Sequence, residues 1–455
     1  MEERVAIEGC YVATVDAAGS EYRSGHLVAE AGRIVAAGPG PVPAELAAGA
    51  TRLDGSGRLV TPGLVNAHTH LYQWLTRGCA TEEGLFGWLA ALYPVWGRLT
   101  PELVRDSAAA NLAWLALTGC TTSTDHLYVF PDGLDPADLL EAEILAARQV
   151  GVRFHPTRGS MDLGESAGGL PPDSVVESHD TVLAASEAAI GRWHDPSFGA
   201  MTRIAIAPCS PFSATAELMR DSAELARAHG VRLHTHLAET ADEEEFCLQQ
   251  FGRTPAQYAE DLGWLGPDVW LAHCVHLSGD AVARIGATGT AVAHCPTSNG
   301  RLGSGIAPVR KLLDAGTAVG LGVDGASSNE SGRMVGELHQ ALLAARYAGG
   351  PQALTARDCL RMATMGGASC LGRADELGSL EPGKVADVAV WRVDGLPGAG
   401  IEDPVCTLVF GAPALEHLFV GGRPVVTGGE LSTADAGALA EAAAKASAVI
   451  TGRGH

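Results

Sequence analysis

A chain of 455 residues exceeds one ordinary domain, yet it fits a single barrel of the largest one-domain kind with a smaller accessory domain. With 46% hydrophobic and only 18% charged residues it buries a large core, which excludes wholesale disorder. The formal charge of −22 repels polyanions, so nucleic acid is excluded as a partner and a neutral or cationic small molecule is expected. The ten cysteines follow no disulfide-framework spacing and include no CxxC pair, which suits a reducing compartment. Met1-Glu2-Glu3-Arg4 is not a basic segment leading into an apolar one, and no apolar run is long enough to span a bilayer. A cytoplasmic protein without membrane contact is expected.

Two β-rich runs open the chain, residues 5–15 and 26–37, separated by small and polar turn residues. From about Thr61 onward, short apolar segments alternate with helical patterns, the rhythm of parallel βα units. Eight such segments end near His68, His126, His155, Cys209, His236, His273, His294 and Asp324. Eight repeats within residues 61–371 predict an α/β fold, a closed (β/α)8 TIM-like barrel whose chemistry sits at the C-terminal strand ends. Strand-like texture returns at residues 386–393 and 417–426, marked by Gly383, Gly395 and the pair Gly421-Gly422. The two chain ends are therefore expected to pair into a small β-sandwich domain. The expected division is residues 1–60 and 376–434 for that domain, 61–375 for the barrel, and 435–455 for a C-terminal helix and tail. The alanine-rich stretch 436–450 either packs on the barrel or mediates association.

Four of the expected strand ends carry residues suited to metal chemistry. In "PGLVNAHTH", His68 and His70 stand at i and i+2, on one face of an extended segment, where both can bind one ion. Alone, such a pair equally fits surface or core histidines. In "HTHLAE", His236 can complete a three-histidine set, and Glu239 can reach water at the ion without binding the ion itself. The apolar segment Val269-Trp270-Leu271-Ala272 ends in His273, placed either to orient the attacking water or to brace a core. The run Gly320-Leu321-Gly322-Val323 ends in Asp324, a metal ligand and proton acceptor or else a helix N-cap. Together, in this order and on different strands, the four form a specific constellation.

The strings "PGLVNAHTH", "HTHLAE", "LAHCVHL", "AHCPTSN" and "GLGVDGASSN" resemble the amidohydrolase superfamily, in its mononuclear aminohydrolase branch, from about residue 5 to about residue 428. The resemblance implies that His68, His70, His236 and Asp324 hold the metal, that Glu239 shuttles protons, and that His273 contacts the reacting centre. Dinuclear members carry a bridging lysine near the end of the third or fourth strand. Here "IAIAPCSPFS" places Cys209 in that region, so one divalent ion per subunit is expected, zinc ahead of iron. Longer strings such as "YQWLTRG", "LFGWLAALYPVW" and "RFHPTRGSMDLGESAGGLPPD" are similar to those of 8-oxoguanine deaminases, and "CLRMATMGGASCLGR" is also similar to triazine hydrolases. A departure is Thr69, where 8-oxoguanine deaminases usually carry a third histidine between the two ligands. It leaves the particular purine or pterin open.

The implied activity is hydrolytic deamination of an amino-substituted N-heterocycle, 8-oxoguanine or a related purine or pterin, with release of ammonia. The alternatives are a triazine-type hydrolase that displaces chloride or an alkylamine, and, in another class, an inactive metal-binding scaffold. A flat polar ring needs aromatic walls and a few groups that read its edge, for which Gln73, Trp88, His126 and Cys209 are the candidates. His294 lines the same mouth or braces its strand. Arg77, Arg158 and Arg301 are further possibilities for substrate carbonyls, although such arginines more often cap helices or form ion pairs. Similar proteins are commonly dimers or larger cyclic assemblies, so a homo-oligomer is expected.

Overall fold

The computed structural model describes residues 4–452; residues 1–3 and 453–455, which belong to the expected terminal segments, lie outside the described residues. Eight strands, Leu64–Asn66, Cys120–Leu127, Arg153–Ser160, Ala205–Pro208, Leu233–Leu237, Val269–His273, Ala291–His294 and Val319–Leu321, close into a barrel in chain order. Every neighbouring pair is parallel. All strand residues are buried, because helices cover the outside and side chains fill the inside. The helices between strands begin and end on ordinary capping chemistry. The helix Pro136–Val150, for example, starts at Asp135, whose carboxylate accepts from the Ala137 N–H, and stops at Gly151, with φ 84°.

The strand count of the sequence reading holds, but one end was misplaced. The third strand does not finish near His155; it continues through Pro156 to Ser160, pairing Gly159 with Ala207 and Ser160 with Pro208. Pro156 reads as a terminator in sequence, yet its neighbours carry the ladder on. His155 therefore lies at the opposite end of the barrel from the other seven markers. Residues 26–37 likewise form two strands, not one run. Glu21–Glu30 and Arg33–Pro39 are joined by Ala31 and Gly32, both at positive φ (53° and 75°), which is the turn that a tight hairpin demands.

The chain ends share one nine-stranded sheet. It is mixed: Arg4–Ala13 pairs antiparallel with Glu21–Glu30 but parallel with Thr51–Asp54 and Arg58–Pro62. Arg58–Pro62 is the joint between the two ends, since its other edge carries Val388–Arg392, followed by Leu415–Val420, Arg423–Thr427 and Glu430–Leu431. The same strand runs straight into the barrel through Gly63, where a Cβ would come within 2.2 Å of Thr121 Cγ2. The C-terminal helix Ala436–Thr451 buries Leu439, Ala443, Ala446 and Ile450 along one face, and Ser447 Oγ donates to Leu75 O at 2.7 Å. No helix among the described residues is long and apolar enough to cross a membrane.

A buried ion pair rivets sheet to barrel. Arg153, on the third barrel strand, donates Nε and Nη2 to the two oxygens of Asp387, each at 3.1 Å, and both side chains are almost fully buried. Asp387 Oδ1 also accepts from Gly421 N at 2.7 Å. Removing one partner strands the other charge, so Arg153→Met is expected to cost about 3–5 kcal/mol. The double variant Arg153→Met/Asp387→Leu should recover part of that loss. Denaturant titration checks both, and an unchanged midpoint for the single variant would contradict the role given to the pair.

Candidate active site and metal centre

The two histidines of the first strand end, one from the fifth and the aspartate after the eighth converge. His68 Nε2 and His70 Nε2 each lie 3.3 Å from Asp324 Oδ1, and His70 Nε2 lies 3.1 Å from His236 Nε2. The ligand atoms of His68, His70 and His236 lie within 4.8 Å of one another, the spacing of a metal-binding set. All four residues are buried.

The hydrogen bonds behind these rings fix which nitrogen carries the proton. His70 Nδ1–H donates to His126 O at 2.7 Å, and His236 Nδ1–H donates to Cys209 O at 2.7 Å. His68 is set by a two-ring relay: His234 Nδ1–H donates to Trp270 O at 2.8 Å, which leaves His234 Nε2 to accept from His68 Nδ1–H at 2.8 Å. Burial pushes His68 down to about 4, so its ring is neutral near pH 7. With each Nδ1 donating, the three Nε2 atoms face one another and an aspartate oxygen, and His68 Nε2 has no hydrogen-bond partner. Four acceptors without a proton between them repel; a cation at their centre satisfies all four. The donor set therefore fits a divalent ion on three imidazoles and one carboxylate. The chain's three lysines lie elsewhere: Lys311 and Lys445 on surface helices, and Lys384 on the carbonyls of Ala374 and Leu377.

Two carboxyls beside this point are driven in opposite directions. Burial opposes ionisation of Asp324, but its carboxyl lies well below the usual range, held there by the positive charge, proton or cation, on the facing nitrogens of His68, His70 and His273. Ser298 Oγ and Ser328 Oγ also donate to its Oδ2, at 2.6 and 3.2 Å. Glu239 is pushed well above that range by burial, then by the charges of Asp324 and Glu243. Two neighbouring carboxyls pushed in opposite directions are an arrangement typical of acid–base sites. His273 Nδ1–H donates to Asn299 Oδ1 at 2.9 Å, which turns Nε2 toward Glu239 Oε2 at 3.6 Å and Asp324 Oδ2 at 3.9 Å. The strand ends that present these groups are strained: Ala238, His273, Cys274 and Asp324 all sit at positive φ, between 52° and 68°. Glu243 holds one of these bends, its two oxygens accepting from Ala238 N and Glu239 N at 2.8 Å each.

A recess of about 370 Å³, part of it open to solvent, adjoins this cluster, with His70, His236, Glu239, His273 and Asp324 in its lining. Gln73, Trp88 and Cys209, three of the four residues read from the sequence as substrate contacts, line it. Gln73 presents both amide atoms, and Trp88 its indole N–H, buried without a partner. Gly325 makes room for Gln73, since a Cβ there would lie 1.8 Å from its Oε1. Burial pushes the Cys209 thiol up to about 12, so it faces the recess as a neutral donor. His126 does not line the recess. Its Nε2–H donates to Ala207 O at 2.9 Å and its ring stacks on His236 at 4.7 Å, which makes it a backing for the His236 ring.

His294 is buried outside the lining as well. The arginines are committed elsewhere. Arg77 lies over Trp74, Arg158 pairs with Glu177 at 2.7 Å, and Arg301 pairs with Glu330 at 3.1 Å. Sequence reasoning missed the aromatic walls Tyr93, Tyr128 and Phe212 and the supports His234, Asn299, Ser298 and Glu243. Only His234 carried a usable signal, as the first histidine of a second HxH pair.

Comparison with known proteins agrees with this geometry. The pattern of the amidohydrolase family matches residues 59–425. An 8-oxoguanine deaminase of Pseudomonas aeruginosa is 48% identical over 434 residues, covering 94% of this chain and 96% of that protein. An isoxanthopterin deaminase from an unknown prokaryotic organism is 37% identical over 400 residues, covering 83% of each. Among solved structures, an atrazine chlorohydrolase from Arthrobacter aurescens TC1 complexed with zinc superposes with a TM-score of 0.90 at 34% identity, covering 97% of this chain and 100% of that one. With a pattern match over most of its length, this chain belongs to the amidohydrolase family.

Proposed function

We propose that this amidohydrolase holds one divalent ion, zinc, on His68, His70, His236 and Asp324, and hydrolytically deaminates a flat N-heterocycle, with 8-oxoguanine as first candidate and related purines and pterins next. The observation that carries this reading is the meeting of three imidazole lone pairs and an ionised aspartate, adjoining an aromatic recess, beside a carboxyl kept protonated. The identity to an 8-oxoguanine deaminase supports the substrate, and the zinc complex of a structural relative supports the ion. All ten cysteines are unpaired, which supports a reducing compartment such as the cytoplasm.

A divalent ion held there supplies Lewis acidity, which lowers the pKa of water from about 15.7 toward ~7. Glu239, kept protonated, gives its proton to the ring nitrogen beside the carbon that bears the amino group and takes one in return from the incoming water. The water oxygen bonds to that carbon, the C–N bond breaks, and ammonia leaves with a second proton. His273 Nε2 faces the same point and steadies the charge that builds on the incoming oxygen. Gln73, Trp88 and Cys209 read the polar edge of the ring, and the aromatic walls exclude bulk water. A second reading, displacement of chloride or alkylamine from a triazine, is favoured by the atrazine chlorohydrolase likeness. Glu239 argues against the chloride form of that reading, because an amine nitrogen must be protonated to leave and chloride need not be.

Purified enzyme offered 8-oxoguanine, guanine, isoxanthopterin and a chlorotriazine should release ammonia from at least one of the first three and no chloride from the last. Glu239→Gln should lower kcat by roughly 10²–10⁴-fold with metal content unchanged. Chloride release without ammonia release would establish the second reading instead. His234→Leu removes the acceptor that fixes the His68 proton and should weaken metal affinity about 10–100-fold in competition with a chelator. His234→Gln, whose amide can accept and donate in the same places, should retain most of that affinity. Equal loss in both variants would contradict the relay.

A further inference from the structure

The barrel end opposite the metal centre carries a second cleft of about 1150 Å³, lined by His155, His194, Arg203, Arg227 and Arg232, with Asp268 as its one acid. Its walls are built from the segments just before the fourth, fifth and sixth strands, and His155 projects there because its strand begins at Arg153.

The positive charges in this region exceed the carboxylates that face them. Arg153 is matched by Asp387 and Arg227 by Asp268, but Arg203 and Arg373 share the single oxygen Glu376 Oε1, each at 2.8 Å. Arg232 has no carboxylate within ion-pair distance, only the charge of Asp268 acting from farther off; its guanidinium meets the carbonyls of Cys370, Pro267 and Ser369. In a chain with a net charge of −22, such a surplus is out of keeping with the rest of the molecule. Donors are also left open. His155 is 2% exposed, yet both its ring nitrogens lack a partner, as does the buried Arg203 Nε; behind the lining, Arg373 Nη1 is unpartnered too. His194 Nδ1 accepts from Ile204 N, which leaves its Nε2–H as another donor on the cleft wall. Gly372, at φ 64°, gives Arg232 its place, since a Cβ there would come within 2.8 Å of the guanidinium.

We propose that this cleft binds a phosphate group, either free inorganic phosphate or the phosphate of a small nucleotide. Water could accept from the open N–H groups but would leave the surplus charge in place; a tetrahedral oxyanion supplies both the acceptors and the countercharge. The arginines that hold His155 in its neutral form, after burial itself, belong to the same positive field. The site lies away from the metal centre and does not depend on what that centre does.

Titration calorimetry on the metal-loaded enzyme, with inorganic phosphate in one arm and a nucleoside monophosphate in the other, tests this at constant ionic strength set by chloride. Binding in either arm is expected, together with a rise in thermal midpoint through mass action. Arg232→Gln should weaken that binding at least tenfold while turnover in phosphate-free buffer stays within twofold. Arg227→Gln, at the exposed rim, serves as the second variant should Arg232→Gln fold poorly, with a smaller loss expected. Binding in one arm alone identifies the source of the phosphate. No binding beyond the chloride control overturns the proposal. Binding that neither variant weakens, as phosphate held by the metal would show, also overturns it.

Discussion

Three imidazole nitrogens and one carboxylate oxygen are pressed together in a closed space, and the fold is arranged to keep them so. Each ring is turned by a hydrogen bond on its far side: His70 on His126 O, His236 on Cys209 O, and His68 through His234 on Trp270 O. Those carbonyls belong to the second, fourth and sixth strands or their ends. The geometry of the ligand set is therefore a property of the whole barrel. Mutual repulsion among four acceptors is costly when they are buried. A cation held there would relieve it and so stabilise the folded state, and the recess adjoins the same four groups.

The acid–base pair follows from the same crowding. Asp324 keeps its charge beside the proton or cation that the imidazole cluster holds, and that charge is one of the reasons why Glu239 holds its proton. Backbone strain at Ala238, His273, Cys274 and Asp324 aims these groups inward, and Glu243, Thr69 and Asn299 hold the bent segments in place. Support reaches further out. The 3-10 turn Leu71–Thr76 that carries Gln73 is held from behind by Ser447 of the C-terminal helix through Leu75 O.

What could be read from the sequence was what local chemistry writes into it. The barrel strands are short apolar runs because both of their faces are buried, and the ligands stand beside them at i and i+2 spacings or at a glycine-flanked acid. The third strand escaped correct placement because Pro156 looks like a stop, and only pairing with the second and fourth strands carries the ladder past it. His126 was placed at the mouth because it stands at a strand end, but its ring lies against His236, and a strand end does not by itself say which way a side chain turns. Tyr93, Tyr128 and Phe212 come from three distant segments and meet only through packing, which has no local signature. The arginine-lined cleft was invisible for the same reason: its residues are scattered over more than two hundred positions.

X-ray absorption at the metal edge of the purified enzyme tests the centre most directly. The account predicts one ion per chain, with scattering from three imidazoles and one carboxylate at about 2.0–2.2 Å and no second metal nearby. A metal–metal vector near ~3.5–4 Å, or a shell with fewer than three imidazoles, would contradict it.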